Sequence, residues 1–189
     1  MKKVKVINTQ KAVIAALFFG AVTYGYGQNT LGTKDTIKVE ETAPVEASQQ
    51  NPTIEVLKKQ VEANANDTEA LVKLATAYQD TQDWNNTLAT WTKITTLLPD
   101  WAPAYYSKAY VYQTMKDEEN AKKEYEKYIV TVKPAELEAN KKNLAYAHFF
   151  VAYQLQKTDK EQAKQNIAKS LQYDAANEDA IKLNALLNQ

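Results

Sequence analysis

Leu71, Leu74, Ala75 and Tyr78 recur at helical spacing, and the polar turn Thr81-Gln82-Asp83 interrupts the series. A second series follows at Trp84, Leu88, Trp91, Ile94 (or Thr95) and Leu98, closed by Pro99. Apolar residues three and four apart line one face of a helix, and a proline cannot donate to the helical ladder. The stretch therefore predicts two amphipathic helices joined by a tight turn. Asn66 with Glu69 predicts a capping arrangement for the first helix, and Asp83 a cap for the second.

Much of the pattern returns at a fixed interval: Tyr112 follows Tyr78, Ala109 follows Ala75, and Tyr125 follows Trp91, each thirty-four positions on. In this second pair Tyr105, Ala109 and Tyr112 are the predicted core positions of the first helix. Ala121, Tyr125, Tyr128 (or Ile129) and Val132 are those of the second, and Pro134 marks its exit. A third pair is degenerate. Ala147, Phe150, Val151 and Gln154 lie on its first helix, with Gln154 at the expected tyrosine position. Ala163, Ile167, Ser170, Leu171 and Asp174 lie on its second. Ala163 follows Ala121 at a longer interval, forty-two positions, and the extra residues fall between Pro134 and Lys142. They are good helix formers, which predicts that the third pair's first helix starts early, near Ala135. Pro52 to Ala63, with Ile54, Leu57 and Val61, reads as a cap helix before the first pair. Glu178 to Asn188 reads as a cap after the last.

The order large residue, leucine, small residue and tyrosine, then aromatic and proline, repeated at this period, resembles the tetratricopeptide repeat (TPR). Leu71 and Tyr105 replace the usual tryptophan, Thr87 replaces a usual alanine, and Lys108 stands where Leu74 stands one repeat earlier. The resemblance implies an all-α fold, a right-handed α-solenoid of antiparallel helix pairs. It divides residues 52–189 into a cap helix (52–65), units 68–101, 102–135 and 144–177, and a terminal cap (178–189). A single pair buries its stripe on one side only, so neighbouring units must stack to bury the rest. The resemblance also implies a concave face lined mainly by the first helix of each pair. Aligning the units places Thr76, Tyr106, Tyr110, Gln113 and His148 on that face as candidate binding residues. Tyr106 and Tyr110, four apart, share a face, and tyrosine offers large contact area with few rotors to freeze. The competing reading is that these tyrosines pack between units. A carboxylate clamp, which in such repeats uses lysine and asparagine, is not supported, because Val72 and Thr76 occupy the corresponding places.

The formal charge of zero hides a division. Lys2, Lys3, Lys5 and Lys11 are unopposed before Gln28, leaving 19 lysines against 23 acids beyond it, a net of −4. The lysine-rich start, an apolar run from Ala12 to Val22, and Gly25 and Gly27 around Tyr26 follow the order of a secretory signal peptide. Residues 1–27 are therefore predicted to be removed, giving an exported protein, periplasmic or extracellular. If they are retained instead, they would tether the chain as a structural subunit of an envelope assembly; only then is a membrane a partner. Residues 28–51 contain few large apolar side chains and read as a disordered linker.

Candidate chemistry is sparse. With no cysteine, disulfides, thiolate metal sites and cysteine nucleophiles are excluded. Every basic residue is lysine, and the absence of arginine together with the acidic body argues against nucleic acid. His148 is the only histidine. A hydrolase built on it and a nearby acid is the enzymatic alternative, but no phosphate loop, nucleophile elbow or paired histidine motif accompanies it. The acids of Asp117-Glu118-Glu119 suit the start of a helix and need no catalytic role. The expectation is a noncatalytic module with no cofactor and no metal, binding a protein partner's peptide or helix.

Overall fold

The structure is a computed structural model that describes residues 52–189. The predicted signal peptide and linker lie outside the described residues. Among these there are eight α-helices: α1 (Pro52–Ala63), α2 (Thr68–Asp80), α3 (Trp84–Leu97), α4 (Ala102–Thr114), α5 (Glu118–Thr131), α6 (Leu137–Leu155), α7 (Lys160–Tyr173) and α8 (Glu178–Leu187). A 3₁₀ turn, Pro134–Glu136, leads into α6, so the early start of that helix falls at Leu137 rather than Ala135. From α2 onward each helix packs mainly on its neighbours in sequence, the arrangement of an α-solenoid.

Short polar side chains start five of the helices. Asp67, Asp83, Asp117, Asp159 and Asn177 each accept a hydrogen bond from the backbone N–H three residues on. Such a bond satisfies a donor that the first helical turn leaves open. The cap of α2 is thus Asp67, not Asn66. The two are adjacent and chemically alike, and Asn66 N–H instead bonds the side chain of Asn64. α4 has no side-chain cap and begins with a proline near its start, Pro103.

The turns after α2 and α4 are copies of each other. Gln82 and Lys116, one period apart, are the described non-glycine residues with positive φ, at 58° and 61°. Asp83 N–H bonds Tyr78 O and Gln82 N–H bonds Gln79 O, while Asp117 and Lys116 repeat this onto Tyr112 and Gln113. These are the paired bonds of a Schellman ending, which requires a left-handed residue. Each of these two aspartates then caps the next helix.

The core follows the repeat. Ala75 and Ala109 are fully buried, as are Ala121 and Ala163, so facing helices approach without a bulky side chain between them. Thr87, where an alanine is usual, is also fully buried, and its hydroxyl donates to Asp83 O at 2.8 Å. That bond removes the cost of its extra polar atom. Trp91 and Tyr125 hold the same place in successive units. Trp91 lies 6.3 Å from Trp101, and Tyr125 lies 5.0 Å from Phe150 of the next unit. α1 covers the open end with Leu57 against Leu74 and Ala77, and α8 covers the other with Ala180, Leu183 and Leu187.

A charged pair departs furthest from this apolar filling. Lys108 and Glu124, which correspond to Leu74 and Thr90 one unit earlier, form a 2.7 Å ion pair between α4 and α5. Their side chains are only 10% and 16% exposed, and the second carboxylate oxygen of Glu124 is buried without a hydrogen-bond partner. Burial, and to a smaller extent this carboxylate, raises the pKa of Tyr105 and Tyr112.

Candidate functional site

The first helices α2 and α4, and α6 from Leu144 onward, bury much of their circumference and leave a stripe toward solvent. On α2 the stripe is Glu69, Lys73, Thr76 and Asp80. Lys73 pairs with Glu69 at 2.8 Å, and the Thr76 hydroxyl is turned back onto Val72 O at 3.0 Å. The stripe of α4 is Tyr106, Tyr110 and Gln113, all half-buried. On α6 it is Lys142, Tyr146, Phe149 and Tyr153, each about one turn from the next.

The predicted residues divide on this surface. Thr76 is exposed and Tyr110 half-buried. Tyr106 has its ring edge-on to Tyr125 and Tyr128, with centroids 5.4 Å and 5.1 Å away. Its packing against the core limits what it can offer a partner. Gln113 is a bridge: Tyr125 OH donates to its Oε1 at 2.9 Å, and its Nε2 donates to Tyr146 OH at 2.6 Å. This ties α5, α4 and α6 together through one side-chain amide.

His148 is placed differently from the expectation that it lines the same face as Tyr110. It is 9% exposed and turned toward α7, where it stacks on Tyr173 with centroids 5.9 Å apart. Its Nδ1 lies 2.9 Å from Asn166 Oδ1, while Asn166 Nδ2 donates to Gln162 O. The amide orientation assigns the imidazole proton to Nδ1. Burial lowers the His148 pKa, with Lys169 adding to the effect and the Asn166 bond opposing it. A ring bonded to an amide, with no carboxylate partner, has the surroundings of a packing residue. Among the described residues no group of three or more His, Cys, Asp or Glu is placed to hold a metal. No helix among them is long and apolar enough to cross a membrane.

Three aromatic residues of α6 stand outside the sequence expectation. Tyr146, Phe149 and Tyr153 form a row along α6, with centroids 6.4 Å and then 6.3 Å apart. Tyr153, at the row's end, is 52% exposed. The signal was present: residues 146, 149 and 153 share a helical face opposite Ala147 and Val151. Aligning the third unit by its second helix drew attention to His148 instead.

No family model matches the chain, and no curated protein matches it either. Solved structures do. The C-terminal part of a TPR repeat-containing protein from Cytophaga hutchinsonii is 25% identical, with a TM-score of 0.60, over 69% of this chain and 52% of its own. MamA from Desulfovibrio magneticus RS-1 is 18% identical, with a TM-score of 0.55, over 71% of this chain and 72% of its own. The N-terminal domain of stress-induced protein-1 from C. elegans is 21% identical, with a TM-score of 0.51, over 74% of this chain and 99% of its own.

Proposed function

Since the chain is a tetratricopeptide-repeat protein in fold, we propose that it is a noncatalytic interaction module holding a peptide or helix of a protein partner. The binding surface is the concave face carried by α2, α4 and α6. The observation that carries this is the Tyr125–Gln113–Tyr146 bridge, which fixes α4 against α6 with Tyr110 and Tyr153 on their outer stripes. A surface held by its own hydrogen bonds loses little freedom on binding, and tyrosine contributes area at low entropic cost. Thr76 extends the face onto α2. Gln113 and Tyr106 support the surface from behind, and His148 steadies the third unit.

A photoreactive residue at position 110 tests the face. It is expected to crosslink a partner in cells, whereas one at Val130, which is 77% exposed on α5, is not. Crosslinking from position 130 alone would place binding on the second helices and favour a structural role in an envelope assembly. The leader-like residues 1–27 support export to the periplasm or beyond. Mass spectrometry of the native protein is expected to find a chain starting near Gln28. A chain starting at Met1 would favour the tethered form.

A further inference from the structure

The aromatic row of α6 has a cation at each end. Lys142 lies one turn before Tyr146, and Lys157 lies four residues after Tyr153, in the turn just past the helix. Both are exposed, and neither makes an ion pair or a side-chain hydrogen bond among the described residues. By contrast, Lys73 on α2 and Lys141 beside the row are already paired with Glu69 and Glu138. No acidic residue occurs between Lys142 and Lys157 in the sequence. Glu118 of α5 reaches α6 on its flank, where it accepts from Gln154 at 3.0 Å.

We propose that the Lys142–Tyr146–Phe149–Tyr153–Lys157 stripe is the docking site for an extended peptide with an apolar centre and a carboxylate near each end. This rests on the concave-face reading and names the part of that face and the partner's chemistry. Apolar side chains of the peptide lie along the row, chiefly on the exposed Tyr153 ring and the outer edges of the half-buried Phe149 and Tyr146, and its carboxylates meet the two unpaired ammonium groups. The spacing sets the length. The helix rises about 20 Å from Lys142 to its end at Leu155, and Lys157 lies two residues beyond, so the two lysines stand on the order of 20 Å apart. A strand advancing about 3.3 Å per residue covers that distance in about seven residues. Charge complementarity at the ends fixes register, and the rings supply most of the contact.

The test uses the full chain and fluorescent synthetic octapeptides with leucine and valine inside and aspartate at both ends. Binding is expected to weaken about two- to five-fold in Lys142→Gln and in Lys157→Gln, and more in the double variant. Raising salt is expected to weaken it as well. Tyr153→Ala is expected to lower affinity at either salt concentration. An octapeptide ending in asparagine at both ends is expected to bind less tightly than the aspartate form. Equal binding of the two peptides, indifference to the double lysine substitution, or no binding of the aspartate peptide overturns the proposal. If position 110 still crosslinks a partner in cells, the concave-face reading survives that failure. If position 130 alone crosslinks, both fall.

Discussion

The first and second units share one frame and fill it differently. Ala75 and Ala109, Trp91 and Tyr125, and the caps Asp83 and Asp117 stand one period apart in the same roles. The outward stripes differ in most of their residues: Thr76 gives way to Tyr110 one period on, while Gln79 and Gln113 hold the same place as the same half-buried residue. Positions where helices touch are held by close packing, and those facing solvent are free to diverge. The second unit also diverges inside. Leu74 and Thr90 give way to the Lys108–Glu124 pair, and the Thr90 hydroxyl that the carboxylate replaces was satisfied within its own helix by Asn86 O at 2.7 Å. In the third unit Asn166 takes this place and bonds His148. A polar residue thus recurs at this place on the second helix while its partner changes from unit to unit.

The largest effect is expected where the two interiors differ. A buried ion pair is strongly attractive, but its desolvation cost is of similar size, so its net contribution is small. Removing one partner is another matter, because the remaining charge stays buried. Lys108→Leu is expected to destabilise the protein by about 3 kcal/mol, measured by urea unfolding. Lys108→Leu with Glu124→Thr, which imports the first unit's residues, is expected to recover at least most of that loss. If the double variant is as unstable as the single one, the units do not share a frame at this position. The lysine would then be fitted to surroundings that leucine cannot fill.

What the sequence made legible follows the same division. The period, the small residues and the Asp83 cap were visible because close helix approach and open backbone donors allow few residue types. Asn66 reads as the cap, but Asp67 beside it satisfies the same rule and fills the place. Lys108 appeared as a departure from the repeat, and its burial became explicable only with Glu124 opposite it. Those residues lie on different helices, and no local pattern joins them. Tyr106 and Tyr110 read as one face, yet half of that face is turned into the core by Tyr125 and Tyr128. The α6 row is visible as a periodicity. Its separation from His148, however, depends on how the longer third unit is rotated, which the irregular offset of that unit obscures.

The smallest expected effect tests where the frames agree. Gln82 and Lys116 sit at φ 58° and 61° without the glycine that such a turn ordinarily uses. A side chain with a Cβ is strained there by about 1 kcal/mol, whereas glycine is not, though glycine also gains freedom in the unfolded chain. Gln82→Gly and Lys116→Gly are each expected to stabilise the protein by about 0.5 kcal/mol in urea unfolding, with additive gains in the double variant. The turn into α7 is built otherwise: Thr158 and Asp159 N–H groups both bond Leu155 O, and no positive φ occurs there. Thr158→Gly is therefore expected to destabilise by a similar amount, since it releases no strain and only loosens the unfolded chain. Equal gains at 82 and 116 with a loss at 158 would show that the first two turns are energetic as well as geometric copies. A gain at only one of them would show that neighbouring packing, rather than the turn itself, sets the strain.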